Sequence, residues 1–206
     1  MLDGLMRRKL DPGLNQAGAA LAKFGLRANQ VTLIGLVLGI LAAGLIGLGQ
    51  STYLALIPLL ASRVADGLDG AVARASKITD FGGYLDIVCD FIFYGAIAFA
   101  FALRDPTANG VAGAFLLLSF YANGASFLSF AILAAKRGLK TETRGVKSLY
   151  FTAGILEGTE TILFFVLICF WPGLFSPLAW GFGGLCFVTA LARIVLASRV
   201  FAEDHG

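Results

Sequence analysis

Cysteine is scarce in this sequence. The 206 residues include three cysteines, an odd number, and Cys89, Cys169 and Cys186 lie scattered inside apolar segments. A disulfide framework needs paired cysteines, and a zinc site needs cysteines at short ligand spacings. Neither pattern is present, so we expect the three side chains to pack as small hydrophobic residues.

Charged residues are also few. They make up 14% of the sequence against 58% hydrophobic residues, and the mean hydropathy is +0.82. This balance is far from that of a typical soluble domain. Three stretches, 28–62, 106–135 and 161–192, contain no charged residue, and each exceeds the roughly 20 residues that cross a bilayer. The sequence therefore predicts an integral membrane protein.

A cleavable signal sequence is not expected either, because the basic residues 7–9 are followed by polar residues rather than by an apolar segment. Asp11 as N-cap and Pro12 at the first helical position predict a short helix that ends just before Gly25. One side of this helix carries Leu14, Ala17, Leu21 and Phe24. Basic residues flank it and suit anionic headgroups. We expect residues 1–28 to form an amphipathic helix on the cytoplasmic membrane surface.

The remaining chain, residues 29–206, is predicted to form one all-α transmembrane domain. Breaks near residues 49–51 and 171–173 divide two of the uncharged stretches into helical hairpins. The result is a polytopic protein with six transmembrane helices. We predict these helices at 29–49, 52–74, 81–103, 108–135, 147–170 and 177–200.

Basic residues are concentrated on one side of this predicted bundle. Arg104 is the one basic residue in the connections after the first, third and fifth helices. By the positive-inside rule, both termini are expected to be cytoplasmic. The net charge of +3 then reflects sidedness, and we expect no nucleic-acid partner.

Four aspartates stand out among the apolar residues: Asp66, Asp69, Asp86 and Asp90. Each pair is three or four residues apart and therefore shares a helix face, and antiparallel neighbouring helices would bring the pairs together at the cytoplasmic side. Carboxylates so close need cations. Hard divalent ions such as Mg²⁺ or Mn²⁺, which often accompany phosphate substrates, are the natural partners.

Intramembrane carboxylates also permit a second interpretation. A small membrane transporter or ion-relay protein would use them to pass cations across the bilayer. The position of the four aspartates at one membrane face favours the metal site.

The aspartates belong to a longer pattern. D-x-x-D-G-x-x-A-R begins at Asp66, and G-x-x-x-D-x-x-x-D begins at Gly82 after a spacer of seven residues. In these residues the sequence resembles the CDP-alcohol phosphatidyltransferase family, in which the spacer usually has eight. The segment around Glu157 looks like that of a divergent bacterial inner-membrane branch.

The resemblance implies an enzyme that moves a phosphatidyl group from CDP-diacylglycerol to a small alcohol and releases CMP during phospholipid biosynthesis. The alcohol would be glycerol 3-phosphate, inositol phosphate, serine or a similar molecule. It also implies contact with membrane lipid, allows a homodimer, and predicts the inner (plasma) membrane as the location.

The resemblance also implies roles for individual residues. Two divalent ions, Mg²⁺ or Mn²⁺, would be bound by Asp66, Asp69, Asp86 and Asp90. Asp90 would in addition take the proton of the attacking hydroxyl. The nucleotide and its phosphates would lie against Asp66, Gly67, Gly70, Ala73 and Arg74.

Other charges within the predicted helices suggest where the alcohol acceptor binds. Arg193 falls at about the depth of Asp69 and could hold an acceptor phosphate together with Arg144 or Lys147, or could snorkel to the interface. Glu157 could bind a cationic or polyhydroxyl acceptor, or could form an intramembrane ion pair with Arg63.

Overall fold

The computed structural model describes residues 3–138, 156 and 158–202, with the side chains of residues 3–9 left aside. This part of the chain contains seven α-helices and no strand. The helices are α1 (Asp3–Lys23), α2 (Ala28–Gly47), α3 (Thr52–Ala75), α4 (Asp80–Arg104), α5 (Pro106–Lys136), α6 (Gly158–Phe170) and α7 (Phe175–Phe201). A 3-10 turn, Pro172–Leu174, precedes α7.

Four of the described helices are long and apolar enough to cross a membrane, namely α2, α4, α5 and α7 with its preceding turn. The 24 residues of α3 include four charged side chains, all from Arg63 onward, and 13 residues of α6 are described. Among the described residues the predicted all-helical fold is confirmed, and four helices have the length and composition of membrane spans. The count of six spans, the sidedness of the termini and the division at residue 28 stay predictions.

The predicted helix boundaries agree with α2, α3, α4, α5 and α7 to within two residues at each end. Local chemistry explains the breaks. Gly49 adopts a φ of 75° in the turn after α2, a conformation that favours glycine. Asp105 begins α5 by accepting a hydrogen bond from the Ala108 N–H at 3.0 Å, with Pro106 next to it in the first turn.

The predicted start of the N-terminal helix is wrong. Asp11 is not an N-cap, because α1 runs unbroken from Asp3 with Pro12 inside it. Residues 5–10 are leucine, methionine, arginine and lysine, which all favour helix, and their propensity offsets the hydrogen bond that the proline cannot donate. The predicted end is confirmed, since Gly25 has a φ of 87° directly after the helix.

Helix α1 packs on the second half of α3. At the crossing, a Cβ atom on Gly18 would lie 2.5 Å from the Cβ of Ala71, so only glycine permits this approach. Leu14 and Leu21 are half-buried on this side, whereas Ala17 and Phe24 of the predicted apolar stripe are exposed. The buried face of α1 therefore differs from the apolar face that the sequence predicted, by a rotation about the helix axis.

The main hydrophobic cluster begins at Phe93, within one turn of Asp90, and extends to the end of the bundle away from the four aspartates. Phe93, Phe101, Phe165 and Phe175 are fully buried there, and the rings of Phe101 and Phe175 stack at 5.0 Å between centroids. The three cysteines are free and buried, as predicted. Apolar packing is therefore concentrated at one end, and the acidic side chains of α3 and α4 lie at the other.

Candidate metal and nucleotide site

Three of the four motif aspartates converge. Residues 76–79 join α3 to α4, and Thr79 caps α4 by accepting a hydrogen bond from the Gly82 N–H at 3.0 Å. This short connection keeps α3 and α4 side by side and antiparallel. One carboxylate oxygen from each of Asp66, Asp69 and Asp86 therefore lies within 4.8 Å of the others. Three carboxylate oxygens at this spacing fit the ligand preference of a hard divalent ion.

The carboxylate of Asp69 is oriented by a threonine. Asp69 is buried, and its Oδ2 accepts a hydrogen bond of 2.6 Å from the Thr32 hydroxyl. Helix α2 carries Thr32, and it can approach α3 because Gly35 faces Ala65, where an added Cβ would lie only 3.3 Å away. Sequence reasoning missed Thr32 as a site residue. Its position one turn inside α2, at the same end as the aspartates, was the available signal.

Asp90 is placed differently from the other three. Its Oδ1 accepts a hydrogen bond of 2.7 Å from Nη1 of Arg63, which also lies 3.6 Å from Oδ1 of Asp66. The predicted pair of Arg63 with Glu157 lies partly outside the described residues. Sequence reasoning missed Arg63 as a member of the site, although it shares a helix face with Asp66 three residues later.

Two cavities meet at the aspartates. The larger, of about 470 Å³, includes Arg63, Asp66, Asp90 and Tyr94 in its lining, together with residues of α1 and α6. The smaller, of about 230 Å³, lies between the first turns of α2 and α4 and the end of α3. Both are lined by Asp69, Gly70, Arg74 and Asp86. These four shared residues form the boundary between the two cavities.

Arg74 lies between the two cavities and is held by α1. Its Nε and Nη2 atoms both donate to Oδ1 of Asn15, at 3.2 and 2.8 Å. A Cβ atom on Gly70 would lie 3.3 Å from the Arg74 guanidinium. The missing side chain of Gly70 therefore leaves room for the arginine. The predicted contact of Gly70 with a nucleotide would need the same open space. Ala73 lines the smaller cavity, and Gly67 lines the larger one.

Four residues are predicted to bind the acceptor, and the structure describes one of them. Arg144, Lys147 and Glu157 lie outside the described residues. Arg193 is buried, with 7% exposed, and its Nη1 donates to the side chains of Asn123 at 3.0 Å and Ser126 at 2.6 Å. It therefore does not snorkel, and it lines neither of the two cavities as described. Its role in binding the acceptor stays a prediction.

Comparison with known proteins decides the family. Residues 26–196 match the family model described as CDP-alcohol phosphatidyltransferase. The chain belongs to this family. The resemblance predicted from the aspartate motif is confirmed, and the family is an enzyme class of phospholipid synthesis.

Two relatives match this chain, one over most of its length and the other over about half. Inner membrane protein YnjF of Escherichia coli K12 is 45% identical over 195 residues, which are 94% of each chain. Archaetidylinositol phosphate synthase of Pyrococcus horikoshii is 39% identical over 99 residues, 48% of this chain and 52% of that protein. The first relative and the apolar helices together support a membrane location.

A solved structure has the same fold. The crystal structure of Mycobacterium tuberculosis phosphatidylinositol phosphate synthase (PgsA1) with CDP-DAG bound has a TM-score of 0.72 and 21% identity to this chain. The match covers 94% of this chain and 98% of the other. The two proteins therefore share a fold.

Proposed function

We propose that this protein transfers the phosphatidyl group of CDP-diacylglycerol to the hydroxyl of a small alcohol and releases CMP. The observation that carries the proposal is the convergence of Asp66, Asp69 and Asp86 where two cavities meet. Family membership supports the reaction class. An inositol phosphate is our first candidate acceptor, because two relatives are synthases of that chemistry. Glycerol 3-phosphate and serine are the next candidates.

The three converging carboxylates are proposed to hold Mg²⁺ or Mn²⁺. Their oxygens are the hard ligands that these ions prefer, and the Thr32 hydrogen bond holds one of them in a fixed orientation. A bound divalent ion would neutralise the negative charge that develops on the departing phosphate.

The smaller cavity is proposed to bind the CMP portion of the lipid. Gly70 and Ala73 present little side chain there, and Arg74 offers a planar guanidinium that suits phosphate oxygens. Asn15 holds this guanidinium at the boundary with the larger cavity. The diphosphate would then lie across the shared wall, next to Asp69 and Asp86.

The larger cavity is proposed to bind the alcohol, beside Asp90. The hydroxyl oxygen attacks the phosphorus that carries the diacylglycerol, and the bond from this phosphorus to the oxygen of CMP breaks. The electron pair of that bond leaves with CMP, and the hydroxyl proton passes to the Asp90 carboxylate. General-base assistance of this kind typically contributes about 10²–10⁴ in rate. Arg144, Lys147, Arg193 and Glu157 remain our candidates for binding the rest of the acceptor.

The direct test is CMP release by the purified protein in lipid nanodiscs. CDP-diacylglycerol is supplied with each candidate alcohol, with and without Mg²⁺ or Mn²⁺, and CMP is measured by mass spectrometry. We expect release only when both metal and acceptor are present. Asp69→Asn should abolish it, whereas Asp80→Asn, an exposed aspartate in the first turn of α4, should not. The absence of CMP release with every candidate alcohol, or equal CMP release by both variants, would contradict the proposal.

A further inference from the structure

Arg63 is a buried cation that the proposed reaction leaves unexplained. Its side chain is 9% exposed, and its Nη1 contacts Asp90 at 2.7 Å and approaches Asp66 at 3.6 Å. Asp90 is the motif carboxylate that does not join the group of three among the described residues. A second divalent ion in the larger cavity would need Asp90, and the guanidinium already lies between Asp90 and Asp66.

The guanidinium is also fixed from its other side. Its Nη2 donates to the Ser62 hydroxyl at 3.1 Å, and that hydroxyl donates to the Gly35 carbonyl of α2 at 2.7 Å. Its central carbon lies 3.7 Å from the centre of the fully buried Phe93 ring, within the range of a cation–π interaction. Arg63 is therefore built into the helix packing. Displacing it would break these contacts and leave a charged group buried without partners.

We propose that Arg63 takes the place of a second divalent ion, so that the site binds one ion through Asp66, Asp69 and Asp86. This inference rests on the proposed function, which makes the three carboxylates a metal site, and it replaces the sequence-based expectation of two ions. A second ion beside Asp90 would have to share one carboxylate with a guanidinium at contact distance, and the two positive charges would repel each other. The guanidinium itself compensates the charge of Asp90.

The test is the number of Mn²⁺ ions bound per chain. The purified protein in nanodiscs is dialysed against Mn²⁺, with and without CDP as a nucleoside diphosphate probe, and the bound metal is measured by mass spectrometry. Electron paramagnetic resonance then separates isolated ions from magnetically coupled pairs. We expect one isolated ion per chain in both conditions. Arg63→Gln should bind two coupled ions, whereas Arg63→Lys, which keeps the positive charge, should still bind one.

Arg199→Gln is the matched control, because Arg199 is an exposed arginine near the end of α7 and should leave the count at one. Two ions per wild-type chain, or one ion in a folded Arg63→Gln variant, would overturn the inference. If that variant does not fold, the wild-type count decides. One bound Mn²⁺ without any CMP release would refute the proposed function alone. Two bound ions with CMP release would refute the role of Arg63 alone, and no bound Mn²⁺ would refute both.

Discussion

The hydrogen bond from Thr32 to Asp69 gives the sharpest prediction about the metal site. Its length of 2.6 Å and its burial indicate a strong, charge-assisted bond that fixes one oxygen of a carboxylate ligand. Thr32→Val keeps the shape of the side chain and removes the hydroxyl. We expect Mn²⁺ affinity to fall by about 10- to 100-fold, the usual effect of removing a partner that orients a metal ligand.

The chain offers a matched control for this change. Thr52 is also buried, and its hydroxyl donates a bond of 2.7 Å to the Cys169 carbonyl, at the end of the bundle away from the aspartates. Thr52→Val should lower the free energy of unfolding by about 1–3 kcal/mol, because it leaves a buried carbonyl unpaired. It should not change the affinity for Mn²⁺.

Each purified variant is titrated with Mn²⁺, and the concentration of free ion is measured from its electron paramagnetic resonance signal. Thermal unfolding of the same samples in detergent reports stability separately. Equal Mn²⁺ affinity in Thr32→Val and the wild type would refute the idea that this hydroxyl orients a metal ligand. Weakening of the same size in Thr52→Val would show that the effect comes from general loss of packing.

Two further predictions concern the contact of α1 with α3. Gly18→Ala places a methyl group 2.5 Å from a side-chain carbon of α3, so we expect a loss of about 1–3 kcal/mol in the free energy of unfolding. Gly13→Ala, where nothing lies within 4 Å of the added carbon, should not destabilise the protein in the same thermal unfolding assay. Asn15→Ala releases the Arg74 guanidinium, and we expect the KM for CDP-diacylglycerol to rise several-fold, in steady-state CMP release, with Mn²⁺ affinity unchanged. Gln16→Ala, an exposed neighbour, is its control, and an equal rise in KM would contradict the role of Asn15.

Much of the site could be predicted because it depends on local spacing. Asp66 and Asp69 share a face of one helix, Asp86 follows on the next, and the connection between them is too short to separate them. Uncharged runs and glycine breaks likewise located five helices closely. These features follow from periodicity and chain length, which a sequence shows directly.

The remaining features depend on how helices rotate and cross. The contact of Arg63 with Asp90 requires a particular rotation of α4 against α3, and no spacing within either helix encodes it. Arg193 similarly meets Asn123 on a helix that is distant in sequence, and the depth of Arg193 along its own helix does not encode this contact. The early start of α1 was missed because a proline was interpreted as a boundary, although its surroundings favour helix.

The wall shared by the two cavities also bears on the order of events. Asp69 and Asp86 line both cavities, so in the proposed reaction the nucleotide and the alcohol are bound at once on opposite sides of the same carboxylates. Direct transfer between two bound substrates then needs no covalent phosphatidyl-enzyme. Initial rates measured against both substrates should therefore give intersecting double-reciprocal lines, the kinetic pattern of a ternary complex, rather than the parallel lines of a ping-pong reaction.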